Sequence, residues 1–339
     1  MDVHSSADRS CSSSLARRSL GEGGSSSSYS EENPEHECED EPEDEVVFMH
    51  RAFLIAIMVL LGVGVCPAQV PAAESTGTNS WADADPEHID RLALTPRAKQ
   101  VLESADLSWR HAQTEHFSIH YEQAIFARKV ARMAEFFYDY IVDDLQGVRE
   151  QERGRSHIFI FRSEKRWREF CQKSPGMPEW IFSQVEGPVM FLQQAENTSA
   201  SGEVIAHEMT HLVMNRLFAG HPPLWLNEGL AEYYGAFGYA AFKGVKKSKR
   251  AQFGKLATPY PFEDLVYRST YPHEDWLVEA FYATAKYLVA FLLLDRPHEQ
   301  FLPFLEDLLD GAQVVEAFGR HYGLYSLAEV EKEFRKFAF

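Results

Sequence analysis

The chain is short of cysteine, of positive charge and of long apolar runs. Its four cysteines are Cys11, Cys38, Cys66 and Cys171. Cleavage after a leader that ends near Cys66 would leave Cys171 alone, which excludes an intrachain disulfide. Cys171 falls in the amphipathic run Ser163 to Lys173 and reads as core packing rather than as a nucleophile. Lys and Arg number 33 against 51 Asp and Glu, a formal net charge of −18. Residues 1–48 hold thirteen acidic and three basic side chains, a net of −10, which leaves −8 for residues 49–339. A mildly acidic folded part speaks against a nucleic-acid partner.

Residues 1–48 also have almost no aliphatic side chains and are rich in Ser, Glu and Asp. Such a segment cannot bury enough apolar surface to offset chain entropy. It reads either as a disordered acidic tail or as an extension upstream of a true start at Met49. His50 and Arg51 then precede the apolar run 52–65, from Ala52 to Val65. A membrane-spanning helix wants about 20 residues, so this run suits a signal-peptide core over residues 49–72. Uncleaved, it would be a weak anchor that associates the protein with a membrane. Val65 stands where a lipobox before Cys66 would need Gly, Ala or Ser, which argues against a lipoprotein. The expected location is periplasmic or extracellular.

Residues 73–95 read as a linker, with Thr76, Gly77, Asn79, Ser80 and Pro86. No repeat is evident, and residues 105–339 fit one domain. Alternation over His116–Tyr121 predicts a strand, and Ala124–Leu145 a helix with Phe126, Val130, Met133, Phe137 and Ile141 on one face. His157–Phe161 predicts a buried strand, and Ser163 an N-cap for the helix around Trp167. Trp180–Phe182 and Val189–Leu192 read as paired strands, with Pro188 favouring an edge position for the second. Helices are expected from Ser201, over Leu226–Tyr234, Trp276–Leu294, Phe301–Leu309 and Leu327–Phe337. Strands first and helices later indicate an α+β fold, a small mixed sheet followed by a largely helical half.

The most informative stretch is His207-Glu208-Met209-Thr210-His211, followed after sixteen residues by Glu228 in Asn227-Glu228-Gly229. Positions i and i+4 place both imidazoles on one helix face, one turn apart. Both can bind one Zn²⁺ through nitrogen, and Glu228 offers a third ligand. Three protein ligands leave a position for water. Glu208 sits about 100° further around the helix, poorly placed as a ligand but suited to handling that water's proton. Glu232 lies at i+4 from Glu228 and could accept a hydrogen bond from a ligand imidazole.

These residues, with Trp225-Leu226 before Asn227, resemble the gluzincin metallopeptidases. That group includes thermolysin, the aminopeptidase N enzymes and bacterial domains called peptidase MA-like. The resemblance covers 105–339 loosely and 201–235 closely. It implies a zincin-like fold with an edge strand over the zinc cleft. It implies one Zn²⁺ on His207, His211 and Glu228, Glu208 as general base and Glu232 behind a ligand. It also implies a catalytic tyrosine on a long apolar helix, for which Tyr282 is the better match, ahead of Tyr287 and His273. No Gly-x-Met-Glu-Asn segment is present, so the feature that anchors a substrate's free N-terminus in aminopeptidases is missing. The expected function is hydrolysis of a peptide or protein substrate. The alternatives are a non-catalytic binding module of the cell envelope and an amidase for a non-peptide or cell-wall amide. The cluster Lys243, Lys246, Lys247, Lys249 and Arg250 reads first as a solvated loop and second as a site for acidic substrate or lipid. Asn197-Thr198-Ser199 matches a glycosylation pattern.

Overall fold

Three neighbouring strands of the sheet face one large apolar core, and two of them alternate between it and a smaller one. In β3 (Phe117–Tyr121), β4 (Ser156–Phe161) and β6 (Val189–Gln193), residues Ile119, Ile158, Ile160, Met190 and Leu192 face the larger core. Phe159, Phe161, Val189 and Phe191 face a smaller one. All three strands are buried on both sides, and β4 and β6 accordingly read as nearly continuous apolar runs, whereas β3 alternates with Ser118 and His120. The computed structural model describes residues 81–148, 154–174, 181–194, 201–245 and 248–339. The acidic tail, the signal-peptide segment with run 52–65, the glycosylation pattern at Asn197, Trp180 and Lys246-Lys247 lie outside the described residues.

The sheet has six strands in the order β1-β2-β3-β4-β6-β5, with β1 at Ala82–Asp83, β2 at Arg110–Gln113 and β5 at Ser183–Glu186. The pairs β3–β4 and β4–β6 are parallel, and the outer pairs are antiparallel. The parallel pairs need crossovers, supplied by helix α2 (Ala124–Asp144) and, on the other face, α3 (Glu164–Gln172). Helix α1 (Pro96–Leu102) packs Ala98 and Val101 into the smaller core, and Thr95 caps it by accepting from the Ala98 N–H at 3.2 Å.

Several expectations change. Val189–Leu192 is not an edge: β6 pairs with β4 on one side and β5 on the other, so β5 is the edge on that side of the sheet. Pro188 sits in the turn before β6, where its missing N–H costs nothing, and its carbonyl accepts from the His157 N–H at 2.9 Å. The first strand of that pair begins at Ser183 rather than near Trp180. The stretch read as linker includes β1, and Ile89 and Leu94 are buried. A two-residue strand is too short to show alternation. Ser163 holds the cap position of α3, but its side chain makes no capping bond.

The second half is helical: α4 (Ser201–Leu217), α5 (Leu224–Phe242), α6 (Phe262–Tyr267), α7 (Asp275–Leu294), α8 (Phe301–Leu309), α9 (Val314–Tyr322) and α10 (Leu327–Ala338). Helix α5 continues eight residues beyond the expected Tyr234, because Phe237 and Tyr239 carry its buried face onward. Helix α7 is long and apolar enough to cross a bilayer by length and composition. It is apolar over most of its surface because it is the central core helix, with Leu288, Val289, Ala290, Phe291 and Leu292 fully buried. Thr284 of α7 donates to the Ala280 carbonyl at 2.6 Å and accepts from the Tyr260 N–H at 2.8 Å, which ties the preceding loop to the helix.

One polar feature crosses the sheet. His111, His120 and His157 lie on β2, β3 and β4 and are buried. Their rings are hydrogen-bonded in series: Nδ1 to Nδ1 at 2.9 Å, then His120 Nε2 to His157 Nδ1 at 2.9 Å. Burial holds the His157 pKa down at about 4, although nearby Asp90 works the other way. Burial, aided by its two histidine neighbours, also holds His120 well below the usual value. The unfolded chain binds these protons near pH 6.5 and the folded one does not, so their contribution to stability is lost as pH falls. The urea midpoint is expected to fall between about pH 6.5 and 4. In His157→Gln that fall should be shallower; an identical pH profile by chemical denaturation would show that His157 does not titrate this way.

Candidate metal centre

Helices α4 and α5 supply every donor at the site. Pro222 and Pro223 end the loop between them, and the Pro223 carbonyl accepts from the Leu226 and Asn227 N–H groups at 2.9 and 3.0 Å to start α5. The two helices then cross at very short range. A Cβ on Gly235 of α5 would lie 3.1 Å from the His207 Cα, and one on Gly229 would lie 2.6 Å from the Ala285 carbonyl oxygen of α7. Helix α5 is thus held between the helix of His207 and the helix of Tyr282, and glycine is what permits the approach.

This crossing brings three donor atoms together. His207 Nε2 and His211 Nε2 are 3.2 Å apart, and Glu228 Oε2 lies 3.5 Å from the first and 3.7 Å from the second. Among the described residues, His207, His211 and Glu228 are the group whose ligand atoms converge in this way. Tetrahedral zinc with bonds near 2.1 Å spaces its ligand atoms about 3.4 Å apart, so the three distances suit that ion. Two imidazole nitrogens and one carboxylate oxygen are also a donor set that zinc takes.

Glu232 lies on the far side of His207, with Oε1 3.1 Å from Nδ1. Burial alone would lower the His207 pKa, but hydrogen bonds to Glu228 and Glu232 outweigh it and push it up to about 10. Burial alone would raise the Glu232 carboxyl; its hydrogen bond and charge interaction with His207 outweigh that, helped by Lys286 of α7, and hold it below the usual range. Glu228 is 1% exposed. One buried and one partly buried carboxylate against one ring favour a cation there, whether a proton or a metal.

The expected residues are placed as follows. His207, His211, Glu228 and Glu232 meet. Tyr282 is buried on α7, its ring 6.3 Å from that of His207 and tilted by 59°. Glu208 is half-buried on α4, one position beyond His207. Tyr287 instead packs edge-on to Phe253 at 4.9 Å, and His273 is exposed. The basic cluster is partly engaged: Lys249 donates to Asp144 Oδ1 at 2.7 Å, and Arg250 lies 4.0 Å over the Phe337 ring. Those contacts favour a structural role for these two side chains.

Tyr271 was not anticipated. Its hydroxyl donates to Glu228 Oε1 at 2.7 Å, and the Asn227 amide reaches the same oxygen at 3.4 Å. Tyr271 belongs to an irregular segment before α7, where no periodicity or motif spacing marks a residue. A scan of protein-family models and a search of curated proteins returned no match to this chain.

Gly229→Ala is expected to destabilise the fold by about 1–3 kcal/mol through overpacking, and to weaken metal binding by moving Glu228. Thermal unfolding with zinc titration tests this. A variant equal to the parent in both would mean that α5 and α7 can separate freely.

Proposed function

We propose that residues 105–339 form a zinc-dependent hydrolase of the gluzincin type that cleaves peptide bonds. The observation that carries this reading is the convergence of His207 Nε2, His211 Nε2 and Glu228 Oε2 at 3.2–3.7 Å, with Glu232 behind one ring. A Zn²⁺ held there would polarise the substrate carbonyl and lower the pKa of a water toward about 7.

The chain's own residues would do the rest. Glu208, beside the ligands on α4, accepts the proton of the attacking water and delivers it to the departing nitrogen. The Tyr282 hydroxyl donates a hydrogen bond to the carbonyl oxygen as that oxygen gains charge. Glu232 accepts from His207 Nδ1, which fixes the tautomer so that Nε2 presents its lone pair. The edge strand β5 packs beside α4, and Asn215 of α4 donates to the Gly187 carbonyl at 2.9 Å in the turn after β5. An extended substrate could add to that edge by backbone pairing, a mode that needs no particular side chains. The apolar run 52–65 supports action outside the cytoplasm, with the ion supplied there.

Glu208→Gln is expected to keep full zinc content and lose about 10²–10⁴ in turnover. His211→Ala should lower zinc content, read by metal analysis after dialysis. Cleavage profiling of the zinc-loaded protein on a mixed peptide library, beside Glu208→Gln, tests both roles. Full metal loading with no cleavage of any peptide would favour a binding module or an amidase for another substrate, and equal rates for parent and Glu208→Gln would remove Glu208 as the base.

A further inference from the structure

A carboxylate can bind a metal through one oxygen or through both, and the choice sets how many positions remain open. The two oxygens of Glu228 have different surroundings. Oε2 faces the histidines, 3.5 and 3.7 Å from their Nε2 atoms. Oε1 accepts the Tyr271 hydroxyl at 2.7 Å, with the Asn227 amide further off at 3.4 Å. A hydrogen bond donated to Oε1 draws its lone-pair density away from an ion and fixes the rotation of the carboxylate about its last bond. The Tyr271 ring also lies beside that of Tyr282, 6.4 Å between centroids and within 17° of parallel. One side chain therefore touches both the third donor and the tyrosine on α7.

We infer that Tyr271 is a positioning residue that holds Glu228 as a one-oxygen ligand and keeps α7 in register with the metal. This rests on the zinc reading above. The consequence is a three-atom donor set, two nitrogens and one oxygen, with a position left for water and substrate. Loss of the hydroxyl removes the shorter of these two hydrogen bonds to Oε1, so Glu228 offers both oxygens more readily, which weakens the preferred geometry and crowds the open position.

The test is metal binding, read without reference to turnover. Zinc affinity is measured by competition with a chromophoric chelator for the parent, Tyr271→Phe, Tyr271→Gln and Tyr287→Phe. Tyr271→Phe is expected to bind about 10–100-fold more weakly. Tyr287→Phe, which alters a ring packed on Phe253 away from Glu228, should match the parent. Tyr271→Gln returns an amide donor without the ring and should bind more tightly than Tyr271→Phe; the reverse order overturns the hydrogen-bond argument. In the cobalt-substituted proteins, Tyr271→Phe should show weaker visible absorption, the mark of a higher coordination number. A parent that binds neither ion overturns the zinc reading itself. A parent that binds both, with Tyr271→Phe unchanged in affinity and spectrum, overturns only the role given to Tyr271.

Discussion

The site depends on one close approach. Helix α5 lies so near α4 and α7 that a methyl group at Gly229 would clash with the Ala285 carbonyl, and one at Gly235 would press on the His207 backbone. Side chains reach only a few ångströms, and a carboxylate on one helix must come within about 3.5 Å of imidazoles on another to share an ion with them. With a larger residue at Gly235 the helices would stand further apart, and Glu228 would stop short of His207 and His211. Gly229 also sets where α7, and with it Tyr282 and Lys286, stands relative to the third donor.

That approach carries an electrostatic load. Glu228 is fully buried, and Glu232 lies close behind it on the same helix face. Placing two carboxylates in the interior is costly unless each is matched by positive charge and hydrogen bonds. The molecule supplies these from three directions: His207 between the carboxylates, Lys286 near Glu232, and the Tyr271 hydroxyl on Glu228. A divalent cation at the donor triangle would complete the compensation. The chain of neutral histidines across the sheet has the opposite character, since burial there keeps protons off. Burial thus holds His120 and His157 toward neutrality, whereas the carboxylates beside His207 hold that one ring toward positive charge.

Much was legible in the sequence where the signal is local. The spacing of His207 and His211 places two rings on one helical face whatever the fold. Glu232 follows Glu228 by one turn for the same reason. The apolar face of Ala124–Asp144 and the alternation of Phe117–Tyr121 identified their elements closely. The losses have physical causes. Strands β1 and β2 are too short to carry a pattern. Helix α6 has six residues, close to the length of a turn-rich loop. Pro188 points to an edge position for Val189–Leu192, yet that proline ends a turn and leaves every ladder N–H of β6 in place.

Sequence alone determined which residues could serve as ligands, because donor type and helical period are properties of the chain itself. It also determined the α+β order of elements and the apolar character of α7. Only the tertiary structure decided that Glu228 approaches the histidines with Oε2, that Glu232 stands behind His207, and that Tyr271 reaches the other oxygen of Glu228. Those contacts join residues 17 to 43 positions apart. Their geometry follows from how closely three helices pack and from where the loop before α7 crosses α5, which no local pattern encodes.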